Sequence, residues 1–94
     1  MSVVLRYEIT KVGNFSLELP VGSKILSAGA KFERPMVWIL RPTITPSQEA
    51  PATYLQKFVM AETGVNYVDL ENYEFIDTIH LHSDTEIYHL FAKI

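Results

Sequence analysis

The sequence predicts a mainly β protein: about seven antiparallel strands in a small sandwich or partly open barrel, with at most one short helix. Three observations carry this. Apolar and polar residues alternate along most of the chain, which is the period of a half-buried strand. Glycine, proline, asparagine, aspartate and serine interrupt that alternation at short intervals, and no long segment shows the helical period.

In the segment from Val4 to Thr10, Leu5, Tyr7 and Ile9 are expected to face inward and Arg6, Glu8 and Thr10 to face water. Gly13-Asn14 is a short turn signal, after which Phe15, Leu17 and Leu19 resume the alternation against Ser16 and Glu18. The two segments read as an opening hairpin. Pro20-Val21-Gly22 punctuates the chain before a third strand from Lys24 to Phe32, whose small centre, Ala28-Gly29-Ala30, suggests a bulge, a bend or a close approach. Glu33-Arg34-Pro35 reads as a turn, and Met36 to Leu40 is a continuous apolar run suited to a central strand covered on both faces.

Residues 42–53 form a proline-rich loop, with no apolar face to bury and prolines that cannot serve a sheet interior. Tyr54 to Glu62 returns to strand character and stops at Thr63-Gly64; Asn66 to Asn72 is a loop or a single helical turn. Tyr73 to Leu81 and Glu86 to Lys93 complete the set as a hairpin joined by Ser83-Asp84-Thr85. Residues 1–94 are expected to be one β-rich domain without internal repeats.

Composition narrows the function. With no cysteine there is neither a disulfide framework nor a thiolate zinc site, which points to a reducing cytoplasm. No apolar run approaches the length of a membrane-spanning helix, and no membrane association is expected. Eight basic residues face eleven acidic ones for a net charge of −3, and the basic ones are scattered along the chain, so nucleic acid is not an expected partner.

The chain lacks a nucleophile elbow, a glycine-rich phosphate loop and a His-Glu-x-x-His helix, and its carboxylate pairs, such as Asp69 with Glu71, are ordinary surface charge. No enzyme and no cofactor are expected. Three histidines are the sharpest cluster. If Asp84-Thr85 is a two-residue turn, His80 pairs with His89, and His82 projects from the same face. Three imidazoles so placed, His80, His82 and His89, could hold zinc or copper, but no fourth ligand can be placed, and a tolerant, half-exposed sheet face carrying polar rings is the preferred explanation, so no metal is expected. Trp38, Tyr54, Phe58, Tyr73 and Phe75 either fill the core or line an aromatic pocket, and Arg34 and Arg41 flank the Met36 to Leu40 strand where they could grip an anionic ligand. The residues put forward for ligand or partner binding are therefore Arg34, Trp38, Arg41, Tyr54 and Tyr73.

Several segments together resemble a family of short phage and prophage proteins of unknown function: Leu19-Pro20-Val21-Gly22-Ser23-Lys24-Ile25-Leu26-Ser27, Met36 to Leu40, Glu71-Asn72-Tyr73-Glu74-Phe75-Ile76-Asp77-Thr78 and Tyr88-His89-Leu90-Phe91. The chain departs from that pattern at Asp77, where a glycine is usual, and in its long proline-rich loop; His80 and His82 lie outside it. The resemblance implies a phage setting, in the cytoplasm of the host. The expected function is that of a non-enzymatic accessory protein that binds and inhibits a host defence or regulatory component. The partner would be a host or phage protein, or a second copy in a homo-oligomer. The alternatives are a sponge for a small anionic ligand such as a nucleotide, and a minor structural protein of the virion.

Overall fold

A computed structural model of the protein describes residues 2–42 and 52–94. Seven strands are present among the described residues: β1 Ser2–Glu8, β2 Gly13–Pro20, β3 Lys24–Lys31, β4 Arg34–Pro42, β5 Thr53–Glu62, β6 Tyr73–Leu81 and β7 Glu86–Lys93. A 3-10 turn, Leu70–Asn72, precedes β6. The strands form two antiparallel sheets, one of three strands in the order β1-β4-β3 and one of four in the order β2-β5-β7-β6. This is an open sandwich, as the alternation predicts.

The core lies between the sheets. Ile9, Leu19, Ala28, Val37, Ile39, Phe58, Met60, Ile79, Leu81, Leu90 and Ala92 form one buried cluster. Partly buried Phe15 packs against it, stacked on Phe58 across β2 and β5 with ring centroids 5.0 Å apart and planes within 8°. A stacked pair of this kind adds about 0.5–1.5 kcal/mol to what burial alone supplies.

The opening hairpin does not form. β1 pairs with β4 from Ser2↔Pro42 to Glu8↔Met36, and β2 pairs with β5 from Gly13↔Met60 to Pro20↔Thr53. The chain crosses from one layer to the other between them: buried Ile9 extends the first ladder by donating its N–H to the Pro35 carbonyl, and Gly13 turns at φ 92°. Alternation fixes which residues face inward, and it is the same for two strands that pair edge to edge and for two that lie face to face in opposite sheets.

Two further local expectations move. The turn between β3 and β4 is Phe32-Glu33, both at positive φ, so Arg34 and Pro35 begin β4. The β3 bulge falls between Ile25 and Ser27; Gly29 instead lies beside the Trp38 ring, whose Cζ3 would be in ordinary contact, 3.6 Å, with a Cβ at that position. Pro42 ends β4 and Thr53 begins β5, so the strands reach into both ends of the 42–53 loop, and residues 43–51 lie outside the described residues.

The sandwich is not equally closed on its two sides. At β3 and β6 the sheets touch: the Ala28 backbone N–H donates to the Asp77 carboxylate at 3.2 Å. One turn further, the His82 N–H donates to the Glu33 carboxylate at 2.8 Å, which ties the β6–β7 turn to the β3–β4 turn. No comparable packing joins β1 to β2 among the described residues.

Candidate functional site

Register assigns each strand residue to a face, because directly paired residues project together. In the three-stranded sheet, Val37 and Ile39 belong to the core, so their neighbours Met36, Trp38 and Leu40 face away from it. Trp38 stands in a row with Arg6 and Ser27, Met36 with Glu8 and Gly29, and Leu40 with Val4 and Lys24; Arg34 stands opposite Lys31. The outer face therefore carries Arg6, Lys24, Lys31 and Arg34 around one tryptophan, with Glu8 as the one acid on its strands.

The bulge makes this face. Lys31 follows Lys24 by seven positions, an odd offset, and in a regular strand the two would project to opposite sides. The extra residue between Ile25 and Ser27 reverses the alternation and turns both ammonium groups outward. The result is a division of charge, since the strands of the four-stranded sheet carry Glu18, Glu62, Glu74, Asp77 and Glu86 against only Lys57 and Lys93.

At one end of the basic face Arg6, Glu8, Phe32, Arg34 and Met36 line an open depression of about 580 Å³. Met36 forms an almost fully buried floor, although it points away from the core. Arg34 bridges Glu8 at 3.1 Å, with its guanidinium side chain 68% exposed, so one partner charge does not exhaust its five donors. Phe32 stands at the rim, 80% exposed at φ 54°, with the Lys31 ammonium 5.4 Å from its ring centroid. Positive φ costs an ordinary residue about 1–2 kcal/mol, and an aromatic ring left in water gains nothing within the fold.

The five residues expected to bind do not converge. Arg34 and Trp38 share the basic face, whereas Arg41 pairs with Val3 on the inward side, its buried Nε without a hydrogen-bond partner among the described residues. Tyr54 packs against the core from the end of β5, and Tyr73 lies on the outer face of the other sheet, with Lys93 5.7 Å from its ring centroid. The aromatic pocket is thus dispersed: Phe58 is core, and Phe75 meets Phe91 edge to face at 5.7 Å on the far side of the molecule. Sequence reasoning missed Arg6, Lys24, Lys31 and Phe32. The outward parity of Arg6 was legible, but the bulge that aligns the two lysines was not.

The whole of residues 1–94 matches a profile described as a domain of unknown function, DUF7352. The chain belongs to the DUF7352 family. No curated protein and no solved structure matches it. Within this family member, most of the motifs that carry the sequence resemblance have a packing role: Leu19, Val37, Ile39 and Leu90 are all fully buried. They mark the fold and leave the basic face unspecified.

The histidine hairpin has a different register from the one expected. The β6–β7 connection is His82 to Thr85, with His82, Ser83 and Asp84 all at positive φ, and it pairs His80 with Ile87 and Thr78 with His89. Each ring then finds its own partner. His80 Nδ1 lies 2.9 Å from Asp84, His82 Nδ1 lies 3.2 Å from Glu33, and His89 lies between the hydroxyls of Thr78 and Thr63 at 3.0 and 3.2 Å. Among the described residues no three histidine, aspartate or glutamate side chains are grouped to hold a metal ion, and no helix is long and apolar enough to cross a membrane.

Proposed function

We propose that this protein is a non-catalytic binding module that grips an acidic segment of a partner protein on the outer face of its three-stranded sheet. The observation that carries the reading is the convergence of Arg6, Lys24, Lys31 and Arg34 around Trp38 in a chain whose net charge is −3. Selection for solubility alone gives no reason to gather half of the eight basic residues on one face of an acidic protein. The exposed ring of Phe32 supports it, since aromatic side chains are enriched at protein interfaces relative to the rest of the surface.

An acidic protein segment suits the site better than a nucleic acid. A long polyanion would run off the basic face onto the carboxylates that dominate the rest of the surface. Within the phage setting that the motifs suggest, such a module fits an accessory role, in which it occupies and inhibits an acidic surface of a host component.

Trp38 is the only tryptophan, so its fluorescence reports directly on this face. The test is a titration with a glutamate-rich peptide and, in parallel, with a single-stranded oligonucleotide of equal charge, each at low and high salt. A salt-sensitive emission change with the peptide that is lost in Lys24→Glu/Lys31→Glu supports the proposal. A tighter response to the oligonucleotide would reassign the partner, and no response to either would remove the site.

A further inference from the structure

We infer that two copies of this chain associate through the open side of the sandwich, β1 of each pairing with β2 of the other. In an antiparallel strand, successive residues turn their N–H and C=O groups to opposite edges. The Ile9 N–H bonds the Pro35 carbonyl at 2.9 Å, so the odd-numbered residues of β1 serve β4 and those of Ser2, Val4, Arg6 and Glu8 point out of the sheet. On the other layer the Val21 N–H bonds the Ala52 carbonyl at 2.8 Å, which leaves Asn14, Ser16 and Glu18 of β2 pointing outward in the same way.

The opposite side of the molecule is treated differently. There the outward N–H of Ala28 is taken by Asp77, and Ala28, Ile79 and Leu81 are buried. On the β1 and β2 side the inward-facing residues Leu5, Tyr7, Phe15 and Leu17 all remain partly exposed. Two rows of unpaired backbone groups therefore flank a strip of incompletely covered core. A free edge of this kind is a template for another strand.

Symmetry and charge select the occupant. A two-fold axis parallel to the strands places β2 of the second copy beside β1 of the first, antiparallel and in the same layer, and repeats the contact in the other layer. Such an axis preserves height along the strands. Because the crossing runs from Ile9, the last residue of the first ladder, to Gly13, the first of the second, residues at equal height have numbers summing to about 22, an even value that sets outward residues against outward residues. In that register Arg6 lies opposite Ser16 and diagonal to Glu18 of the second copy, on the same outer face, and this happens twice. The alternative, β1 on β1 and β2 on β2, keeps Arg6 and Glu18 in different layers and makes no contact between them in any register. The arrangement we infer turns the three-stranded sheet of one copy and the four-stranded sheet of the other into a continuous seven-stranded layer, closes both free edges, and shares only Arg6 with the basic face.

Sedimentation equilibrium of the full chain, its Arg6→Glu variant, its Glu18→Arg variant and an equimolar mixture of the two variants tests this. Both substitutions are on exposed side chains, and circular dichroism checks that each variant folds. The expected result is a dimer for the parent, association weakened roughly 10- to 100-fold in each variant alone, and recovery in the mixture, where each β1–β2 contact again joins opposite charges. A parent that stays monomeric at high concentration overturns the inference. So does a dimer that is indifferent to Glu18→Arg.

Discussion

The Asp77 carboxylate joins the two sheets at one point, accepting the Ala28 N–H at 3.2 Å with one oxygen and its neighbour Thr78 N–H at 2.9 Å with the other. It stands where β6 bulges between Phe75 and Asp77, so the irregularity that would weaken an edge strand is also what aims this side chain across to β3. Asp77→Ala would leave a partly buried donor without an acceptor. We expect a loss of about 1–3 kcal/mol in urea unfolding, with Asp77→Asn retaining part of it.

Phe32 gives the opposite sign. Its φ of 54° begins a two-residue turn with Glu33 at 61°, the positions that asparagine and glycine fill best. Phe32→Asn should stabilise the fold by about 1 kcal/mol and reduce binding of an acidic segment at the depression that Phe32 borders. Unchanged binding in a stabilised variant would show that the ring has no part in recognition.

Gly29 is a test of how closely Trp38 is held. A Cβ there would meet the indole at 3.6 and 3.9 Å, which is ordinary contact, and the glycine is not at positive φ. Gly29→Ala is therefore expected to raise stability by about 0.4–1 kcal/mol through the unfolded chain with little change in tryptophan emission. Gly29→Leu cannot fit beneath the ring and should shift the emission.

Tyr88 contributes to the loss of stability at alkaline pH. Partial burial, then the Glu86 carboxylate that accepts its hydroxyl at 3.3 Å, and the charge of Glu62 raise its pKa above the ordinary tyrosine value. Between the unfolded value of about 10 and the higher folded one, the folded protein holds a proton that the unfolded chain has released. Stability from this group is thus complete below pH ~10 and falls as pH rises beyond it. Tyr88→Phe should flatten that fall in a pH series of thermal melts; an unaltered slope would place the cause elsewhere.

How far the sequence led depended on whether a feature was local. Strand identity was legible nearly throughout: alternation placed Leu5, Tyr7 and Ile9 inward, and Met36 to Leu40 is a central strand. Partner choice was not, since the apolar parity of β1 and β2 fits an adjacent hairpin and a pair facing each other across the core equally well. The site failed for a related reason. Grouping Lys24 with Lys31 required the bulge at Leu26, and separating His80 from His89 required a four-residue connection, His82 to Thr85, with three non-glycine residues at positive φ. Ordinary turn rules favour glycine or asparagine there, and Glu33 and Asp84, which hold two of the displaced imidazoles, are distant or unremarkable in sequence.

The crossing at Ile9 to Val12 also governs the order of assembly. β3 with β4 and β6 with β7 are neighbours along the chain, and their hairpins can close within microseconds. β1 and β2 have no such neighbour: each waits for a strand some thirty or more residues away, and the entropy of those long loops must be met before either ladder returns anything. The fold therefore has a late-docking pair of strands, and in the interval before they dock their apolar faces and both their edges are open to any other chain nearby.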